Sequence, residues 1–284
     1  MNRTAQILPP QPPPSGGRLR GGVAELASAI AVESRWIIAD TAIMTWRNLI
    51  RYRRSPELLL FSTLSPVMFI FLFNYVFGGA IPTGNLNYID FLMPGILVQT
   101  TLFSATQTGV GLAEDLQKGM VDRYRSLPMA RSAVLGGRVA AETLVSLFVA
   151  CLMLAVGYII GMRFHGGFWP GFAVPFMVAG FAFGFSWVAA FIGASVRNAE
   201  GAGSLMFFVV FPFTFLSSAF VPIETMPGWL QPFTSVNPVT YAVDLGRSLS
   251  QGGPIITNAW PTALWTLAFT FIIGPIAVWR YRKV

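Results

Sequence analysis

Residues 171–195 read GFAVPFMVAGFAFGFSWVAAFIGAS, an apolar run without a single Asp, Glu, Lys or Arg. A helix that crosses the hydrocarbon core of a bilayer needs about 20 predominantly apolar residues, so this run is long enough to span a membrane. Its apolar residues are continuous and do not alternate with polar ones, which excludes a strand of a membrane β-barrel. The stretch therefore predicts a transmembrane α-helix.

Five further apolar runs of similar length lie on either side of it. The predicted spans are residues 58–79, 89–112, 139–161, 171–195, 203–221 and 259–279. Only 11% of the residues are charged, whereas a soluble domain carries about 25%, so lipid must solvate most of the surface. We predict an all-α membrane protein with one six-span domain over residues 23–284. The proline-rich residues 1–22 are predicted to be a disordered tail or a polyproline II ligand.

The distribution of Lys and Arg predicts the orientation of the chain. Of the 19 basic residues, all but Arg163 and Arg247 lie before span one, between spans two and three, between spans four and five, or after span six. Positive residues remain on the cytoplasmic side, so both termini are predicted to be cytoplasmic in a multi-pass protein of the cell membrane. Topology thus explains the net charge of +7 without a nucleic-acid partner.

Residues 33–54 are predicted to form an amphipathic helix before the first span. Its apolar face is Trp36, Ala39, Ile43, Trp46 and Ile50, and its basic row is Arg47, Arg51 and Arg54. Such a helix lies in the membrane interface, with tryptophans among the headgroups and arginines toward anionic lipid or a cytoplasmic partner. The pattern fits a plain membrane anchor and a partner-binding anchor equally.

A second amphipathic segment follows span two, at residues 112–128. Its apolar stripe is Leu112, Leu116, Met120, Tyr124 and Leu127, and its charged residues are Glu114, Asp115, Lys118, Asp122, Arg123 and Arg125. Acidic residues near the start and basic residues near the end suit the dipole of a separate helix, which Pro128 would end. We predict a cytoplasmic helix whose charged face is either solvated or binds a soluble partner.

The connection between spans five and six, residues 222–258, is long for a compact bundle. Four prolines divide it into pieces too short to span a membrane: Pro222, Pro227, Pro232 and Pro238. Asn237 followed by Pro238 is a typical helix start. The connection is predicted to form short helices at the outer leaflet.

The sequence lacks the motifs of several kinds of catalytic site. It has no G-x-x-x-x-G-K-[ST] phosphate loop, no H-E-x-x-H and no cysteine cluster, so we predict no catalytic residue, metal site or bound cofactor. Asp90 and Glu142 lie at the ends of predicted spans, and no ionisable residue lies mid-span, which disfavours an ion-coupled carrier or a charge-lined channel. Two G-x-x-x-G spacings, at residues 157–161 and 180–184, predict close helix packing within the chain.

Two motifs resemble a known family. Residues 114–128 read EDLQKGMVDRYRSLP and residues 135–138 read LGGR; residues 218–232 read SAFVPIETMPGWLQP and are followed by NPVTY at 237–241 and by Arg247. Together they resemble the permeases of type-2 ABC exporters, most closely the daunorubicin/doxorubicin-resistance branch. The resemblance covers residues 33–284, and the proline-rich tail has no counterpart in it.

The resemblance implies an assembly and a direction of transport. Two permease subunits, identical or related, would pair, and each would contact a separately encoded ATPase that binds ATP and Mg²⁺. A hydrophobic or amphipathic drug, lipid or lipid-linked molecule would move outward from the cytoplasm or inner leaflet. The alternatives are an ion-coupled secondary carrier and a non-transporting membrane scaffold.

The resemblance also implies roles for particular residues. An elbow helix would contain Trp36, Trp46, Arg47, Arg51 and Arg54, and a coupling helix that docks into the ATPase would contain Glu114, Asp115, Lys118, Asp122, Arg123 and Arg125. The phenylalanines that crowd span five suggest a substrate path along Phe207, Phe208, Phe211 and Phe215.

Overall fold

The computed structural model describes residues 23–54, 56–78, 87–120, 131–196 and 198–283. By its contacts the chain divides into two units, Met1–Trp36 and Ile37–Val284. Of the first unit the structure describes the helical backbone from Val23 onward, and the predicted tail lies outside the described residues. The elements of the described ranges are all helices.

Ten α-helices follow one another along these ranges. They are α1 Val23–Arg54, α2 Pro56–Leu72, α3 Tyr88–Gln117, α4 Arg131–Ile160, α5 Phe168–Ser195, α6 Ala199–Phe215, α7 Gln231–Val236, α8 Pro238–Arg247, α9 Ile255–Ala268 and α10 Gly274–Lys283. Turns of π-helix extend α2 (Phe73–Phe77), follow α8 (Ser248–Gly252) and join α9 to α10 (Phe269–Ile273), and a 3₁₀ turn spans Ile223–Thr225.

Four helices are long and apolar enough to cross a membrane. They are Tyr88–Gln117, Ser132–Ile160, Phe168–Ser195 and the continuous Ile255–Lys283. The first and fifth predicted spans correspond, within the described residues, to the shorter apolar helices Thr63–Phe77 and Ala199–Phe215. α6 ends six residues before the predicted span does, with Pro212 in its last turn, because proline weakens a helix interior. The count of six spans stays a prediction.

Helix α3 forms the centre of the bundle. It contacts α2, α4, α5, α6 and α8, and its side chains Leu92, Met93, Ile96, Val98 and Leu102 are fully buried. Large apolar side chains on α4 and on α9–α10, such as Phe148, Ile159 and Phe271, are exposed. A membrane tolerates such faces because lipid tails are as apolar as the side chains themselves.

Two glycines let α3 and α5 approach closely. A Cβ atom on Gly193 would lie 2.3 Å from the carbonyl oxygen of Gly109. Of the predicted G-x-x-x-G glycines at 180 and 184, only one lies at a close helix contact. Gly184 packs against the backbone of Thr266, whereas nothing lies within 4 Å of a Cβ on Gly180. The close crossing of α3 and α5 therefore uses a pair of glycines that no G-x-x-x-G spacing marked.

The connection after α6 contains the predicted short helices. Asn237 caps α8 by accepting a hydrogen bond from the Val239 N–H at 2.9 Å, and Pro238 takes the first helical position. The Asn237 amide also donates to the carbonyl oxygens of Phe213 at 2.8 Å and Leu216 at 2.6 Å. One side chain thereby starts α8 and holds it against the end of α6.

The prediction that a separate helix begins near residue 112 is wrong. Residues 112–117 are the last turns of α3, and the chain leaves that helix at Gly119, whose φ of +65° is left-handed. Left-handed glycines commonly end helices. Glu114 and Asp115 therefore lie at the carboxyl end of α3, not at the amino end of a new helix, and the dipole argument for them fails. Asp122, Arg123 and Arg125 lie outside the described residues.

Candidate functional site

A cavity of about 700 Å³ lies among α1, α2, α3, α4 and α6. Its volume is in the range of pockets that take drug-sized ligands. Three kinds of surface line it: phenylalanines, neutral polar side chains, and a cluster of charged groups near the carboxyl end of α3. The lining comes entirely from helices that the structure describes.

The aromatic wall belongs mainly to α6. Phe207, Phe211 and Phe215 recur every four residues on one helix face and all line the cavity, with ring centroids 5.2 Å and 4.3 Å apart. The stack continues from Phe215 to Phe220 at 5.2 Å. Phe208 is 75% exposed and is not part of the cavity lining. The structure thus brings together three of the four predicted substrate-path residues.

A second part of the lining is polar and belongs to α3. Gln99 and Gln107 lie two helical turns apart in the lining, together with Thr108. Gln99 is only 5% exposed. The Thr108 hydroxyl is buried without a hydrogen-bond partner among the described residues. The cavity therefore combines apolar surface with hydrogen-bonding groups that a ligand can use.

Ion pairs join three helices at one end of the cavity. Arg51 of α1 contacts Glu114 of α3 at 3.1 Å, and Arg138 of α4 contacts Asp115 of α3 at 2.9 Å. Lys118 adds a second contact to Glu114 at 3.4 Å. These cations compensate the two carboxylates at the negative end of α3.

The cluster unites residues that the sequence had assigned to separate helices. Arg51 of the predicted elbow helix meets Glu114 of the predicted coupling segment. Asp115 was predicted to lie on an outward charged face, but it is paired with Arg138 instead. On α1, Trp46, Arg47 and Arg54 are exposed, and the Trp36 side chain lies outside the described residues.

Glu142 is a buried acid in the cavity wall. It lies about three helical turns into α4 and is 2% exposed. One carboxylate oxygen accepts a hydrogen bond from the Tyr52 hydroxyl at 2.8 Å, and the other accepts one from the Ser104 hydroxyl. Glu142 thus lies inside α4, which begins well before residue 139, and the prediction that ionisable residues lie only at span ends stays a prediction.

Tyr52 connects the amphipathic helix α1 to this acid. Burial, together with the nearby charge of Glu142, raises the pKa of Tyr52 far above its ordinary value. Both effects disfavour the phenolate. Tyr52 therefore keeps its proton and acts as a hydrogen-bond donor to Glu142.

Comparison with known proteins identifies the family. Residues 40–249 match the sequence profile of the ABC-2 type transporters. The chain belongs to the ABC-2 type transporter family. The matched range contains the whole lining of the cavity.

Individual relatives of this ABC-2 permease include drug-resistance proteins. It is 31% identical over 246 residues to the daunorubicin resistance ABC transporter permease DrrB1 of Streptomyces coeruleorubidus, covering 87% of each chain. It is 26% identical over 261 residues to the doxorubicin resistance permease DrrC of Mycobacterium tuberculosis H37Rv, covering 88% of this chain and 91% of the relative. The inner membrane transport permease YhhJ of Escherichia coli K12 is 25% identical over 193 residues, which are 66% of this chain and 50% of YhhJ.

In this ABC-2 permease a largely buried arginine holds the connection between α6 and α9 to the bundle. The Arg247 Nε donates to the Phe91 carbonyl oxygen at 3.1 Å, and its guanidinium lies 3.6 Å from the centre of the Phe91 ring. Nη1 contacts Asp244 at 3.0 Å, and Nη2 donates to the Ser218 carbonyl oxygen. Burial lowers the pKa of Arg247 to about 10 while Asp244 opposes the shift, so the side chain is charged at neutral pH.

Sequence reasoning missed the hydrogen-bonding centre of the permease cavity. Tyr52, Ser104 and Glu142 were not predicted as site residues, and Arg138 was noted only as part of a motif. A signal was present in Glu142, since a lone carboxyl group within an apolar helix indicates a functional site. The helix start at residue 131, which places Glu142 well inside α4, could not be read from hydropathy alone.

Proposed function

We propose that this chain is the transmembrane permease subunit of an ATP-driven exporter of hydrophobic or amphipathic molecules. The observation that carries the proposal is the cavity of about 700 Å³, which is lined both by the phenylalanines of α6 and by the polar side chains of α3. A two-sided cavity of this kind suits an amphipathic ligand, since the rings take its apolar part and the amides and hydroxyls orient its polar groups. Transport would run outward from the cytoplasm or the inner leaflet.

The energy source is proposed to be a separate ATPase. The sequence has no phosphate loop, so a partner chain would hold ATP and Mg²⁺, and a second permease subunit would complete the complex. The segment at residues 114–128 would transmit the ATPase movement. Its first residues support this role, because Glu114 and Asp115 are ion-paired to Arg51 and Arg138 on two helices of the cavity wall.

The relatives suggest the first compounds to test. DrrB1 and DrrC carry daunorubicin and doxorubicin resistance in their names. We therefore propose a drug as the first candidate substrate, with lipids and lipid-linked molecules in the same amphipathic class. Phe211 is expected to contact the apolar part of the substrate.

Uptake into inside-out vesicles tests the proposal. The chain is co-expressed with an ABC ATPase, and daunorubicin uptake is measured by fluorescence with and without ATP. We expect ATP-dependent uptake that an uncoupler leaves intact while ATP is clamped. Phe211→Ala should reduce the uptake severalfold, because the ring lines the cavity, and Phe208→Ala on the same helix should not.

One observation favours a second function, the ion-coupled carrier. Glu142 is a buried carboxyl group in the cavity wall, and such groups carry protons in coupled transporters. Uptake that needs no ATPase and stops with an uncoupler at clamped ATP would support this carrier and refute the ATP-driven exporter.

A further inference from the structure

The charges in the cavity wall are unequally compensated. Four charged residues line it: Arg51, Glu114, Arg138 and Glu142. Arg51 and Glu114 are paired with each other, and Arg138 is paired with Asp115. Within the described residues Glu142 forms no ion pair, and its contacts are the hydroxyl groups of Tyr52 and Ser104.

The nearest cation does not complete the pairing of Glu142. Arg138 lies one helical turn before it on α4, but the Arg138 guanidinium is directed to Asp115, with Nη1 at 2.9 Å from the carboxylate. Arg51 is likewise engaged by Glu114. A carboxylate that leaves water without a counter-ion loses solvation energy, and a bound cation restores part of it.

The carboxyl group of Glu142 retains the capacity to bind one more donor. An ionised carboxylate has about four lone-pair positions, of which the two hydroxyl groups use two. Both contacts place a hydroxyl donor on Glu142, which suits a carboxylate that accepts. An ammonium or guanidinium group that enters from the cavity would add a charge-assisted hydrogen bond to these two.

The rest of the cavity suits the other end of such a molecule. The stacked rings of Phe207, Phe211 and Phe215 offer apolar surface and aromatic faces, which also attract cations. An anionic ligand has no comparable binding partner in the lining, since both arginines there already bind carboxylates. These contacts offer more partners to a positive charge in the cavity than to a negative one.

We infer that the cavity selects amphipathic cations and that Glu142 is the residue that binds their positive charge. This inference rests on the proposed function, because it assumes that the cavity holds the transported molecule. It goes further in naming the charge of the substrate and the side chain that discriminates it. The ligand is a molecule with an aromatic or aliphatic body and a protonated amine.

Three pyrene probes with one ring system and different charges test the inference. They are 1-pyrenemethylamine, which is a cation at neutral pH, its neutral N-acetyl derivative, and 1-pyrenebutyrate, which is an anion. Binding to the purified full-length chain is measured by fluorescence in nanodiscs of zwitterionic lipid. We expect the cation to bind at least about tenfold tighter than the neutral probe, since a hydrogen bond to a charged group contributes about 1.5–3 kcal/mol, and the anion to bind most weakly.

The variants assign the selectivity to Glu142. Glu142→Gln should lower cation binding to the level of the neutral probe and leave neutral binding within about threefold, whereas Glu142→Asp, which keeps the charge, should retain the preference. Glu200→Gln removes an exposed carboxylate of α6 that is not in the cavity, so it should change nothing. Equal loss of all three probes in Glu142→Gln, or an unchanged cation preference, would overturn the inference.

Transport measurements separate this inference from the proposed function. ATP-dependent uptake of the three probes is followed in inside-out vesicles that contain the ATPase. Cation-selective binding without ATP-dependent uptake refutes the exporter but leaves Glu142 as a cation site. ATP-dependent uptake that is equal for the three probes in wild type refutes the selectivity and supports the exporter.

Discussion

Arg247 shows how much structure one residue can hold in place. Its planar guanidinium reaches the backbone of α3 at Phe91, the Ser218 carbonyl after α6, and Asp244 on its own helix. A lysine could not reproduce this arrangement, because its ammonium group is a single point charge and not a fork of donors. The presence of an arginine at this position of the sequence motif is therefore explained by packing of the connection between α6 and α9 against the bundle.

Removing this side chain should destabilise the fold. In Arg247→Met the carbonyl groups of Phe91 and Ser218 and the carboxylate of Asp244 lose their shared donor, which should cost about 3 kcal/mol. Thermal unfolding of the purified protein in detergent would measure the loss. Arg163→Met is the matched control, since the Arg163 side chain is exposed and its contacts are the carbonyl oxygens of Tyr158 and Met162 and the Tyr158 ring, all within five residues, and its Tm should stay close to wild type. Equal Tm values for wild type and Arg247→Met would contradict the role assigned to this residue.

At the scale of elements, the crossing of α3 and α5 limits what the bundle tolerates. Gly193→Ala would place a methyl group 2.3 Å from the Gly109 carbonyl oxygen, so the helices must separate, at a cost of about 1–3 kcal/mol. Gly180→Ala on the same helix meets nothing within 4 Å and should be neutral or stabilising by about 1 kcal/mol. Thermal unfolding of the two variants side by side tests this. A Gly193→Ala protein as stable as Gly180→Ala would show that the helices cross less tightly than described.

The elements also show what sequence patterns could and could not predict. Long apolar runs correctly predicted α3, α4, α5 and the α9–α10 helix. A membrane span requires such a run, so the signal for it is contained in the local sequence. The prediction of a separate helix from residue 112 was wrong, because the apolar stripe of Leu112 and Leu116 continues α3. The helix ends instead near Gly119, where the backbone takes a left-handed conformation. The cavity lining draws on five helices, and contacts such as Tyr52 with Glu142 depend on tertiary packing that no local pattern contains.

For the whole molecule, the distribution of basic residues predicts an orientation that can be measured. In a chain whose single cysteine is removed by Cys151→Ser, Gly84→Cys and Ile255→Cys should react with a membrane-impermeant maleimide in intact cells. Ala130→Cys should react only after permeabilisation, because the loop between spans two and three is predicted to be cytoplasmic. Reaction at position 130 without reaction at position 84 would reverse the orientation.

Coupling to an ATPase is the prediction on which the proposed mechanism of the whole molecule depends. The sequence predicts that Asp122 and Arg125 lie on a charged face in the cytosol. Exposed charge pairs contribute only about 0.2–1 kcal/mol to stability, so Asp122→Arg or Arg125→Glu should leave the permease folded and inserted. Like charges brought together at an interface can cost several kcal/mol, so the same variants should weaken ATPase binding and abolish transport. Gly119→Pro should do likewise, because proline cannot adopt the φ of +65° at that turn.

Copurification of the ATPase, measured beside daunorubicin uptake, distinguishes an interface from a solvated connector. Arg282→Glu is the control. It reverses an exposed charge near the carboxyl terminus, which is also predicted to be cytoplasmic, and it should retain both ATPase binding and uptake. In the proposed mechanism, the ion pairs of Glu114 with Arg51 and of Asp115 with Arg138 would transmit the ATPase movement to α1 and α4. ATPase binding and uptake that survive every charge reversal would mean that residues 114–128 do not carry this force, and the ATPase would have to act on the cavity through another surface.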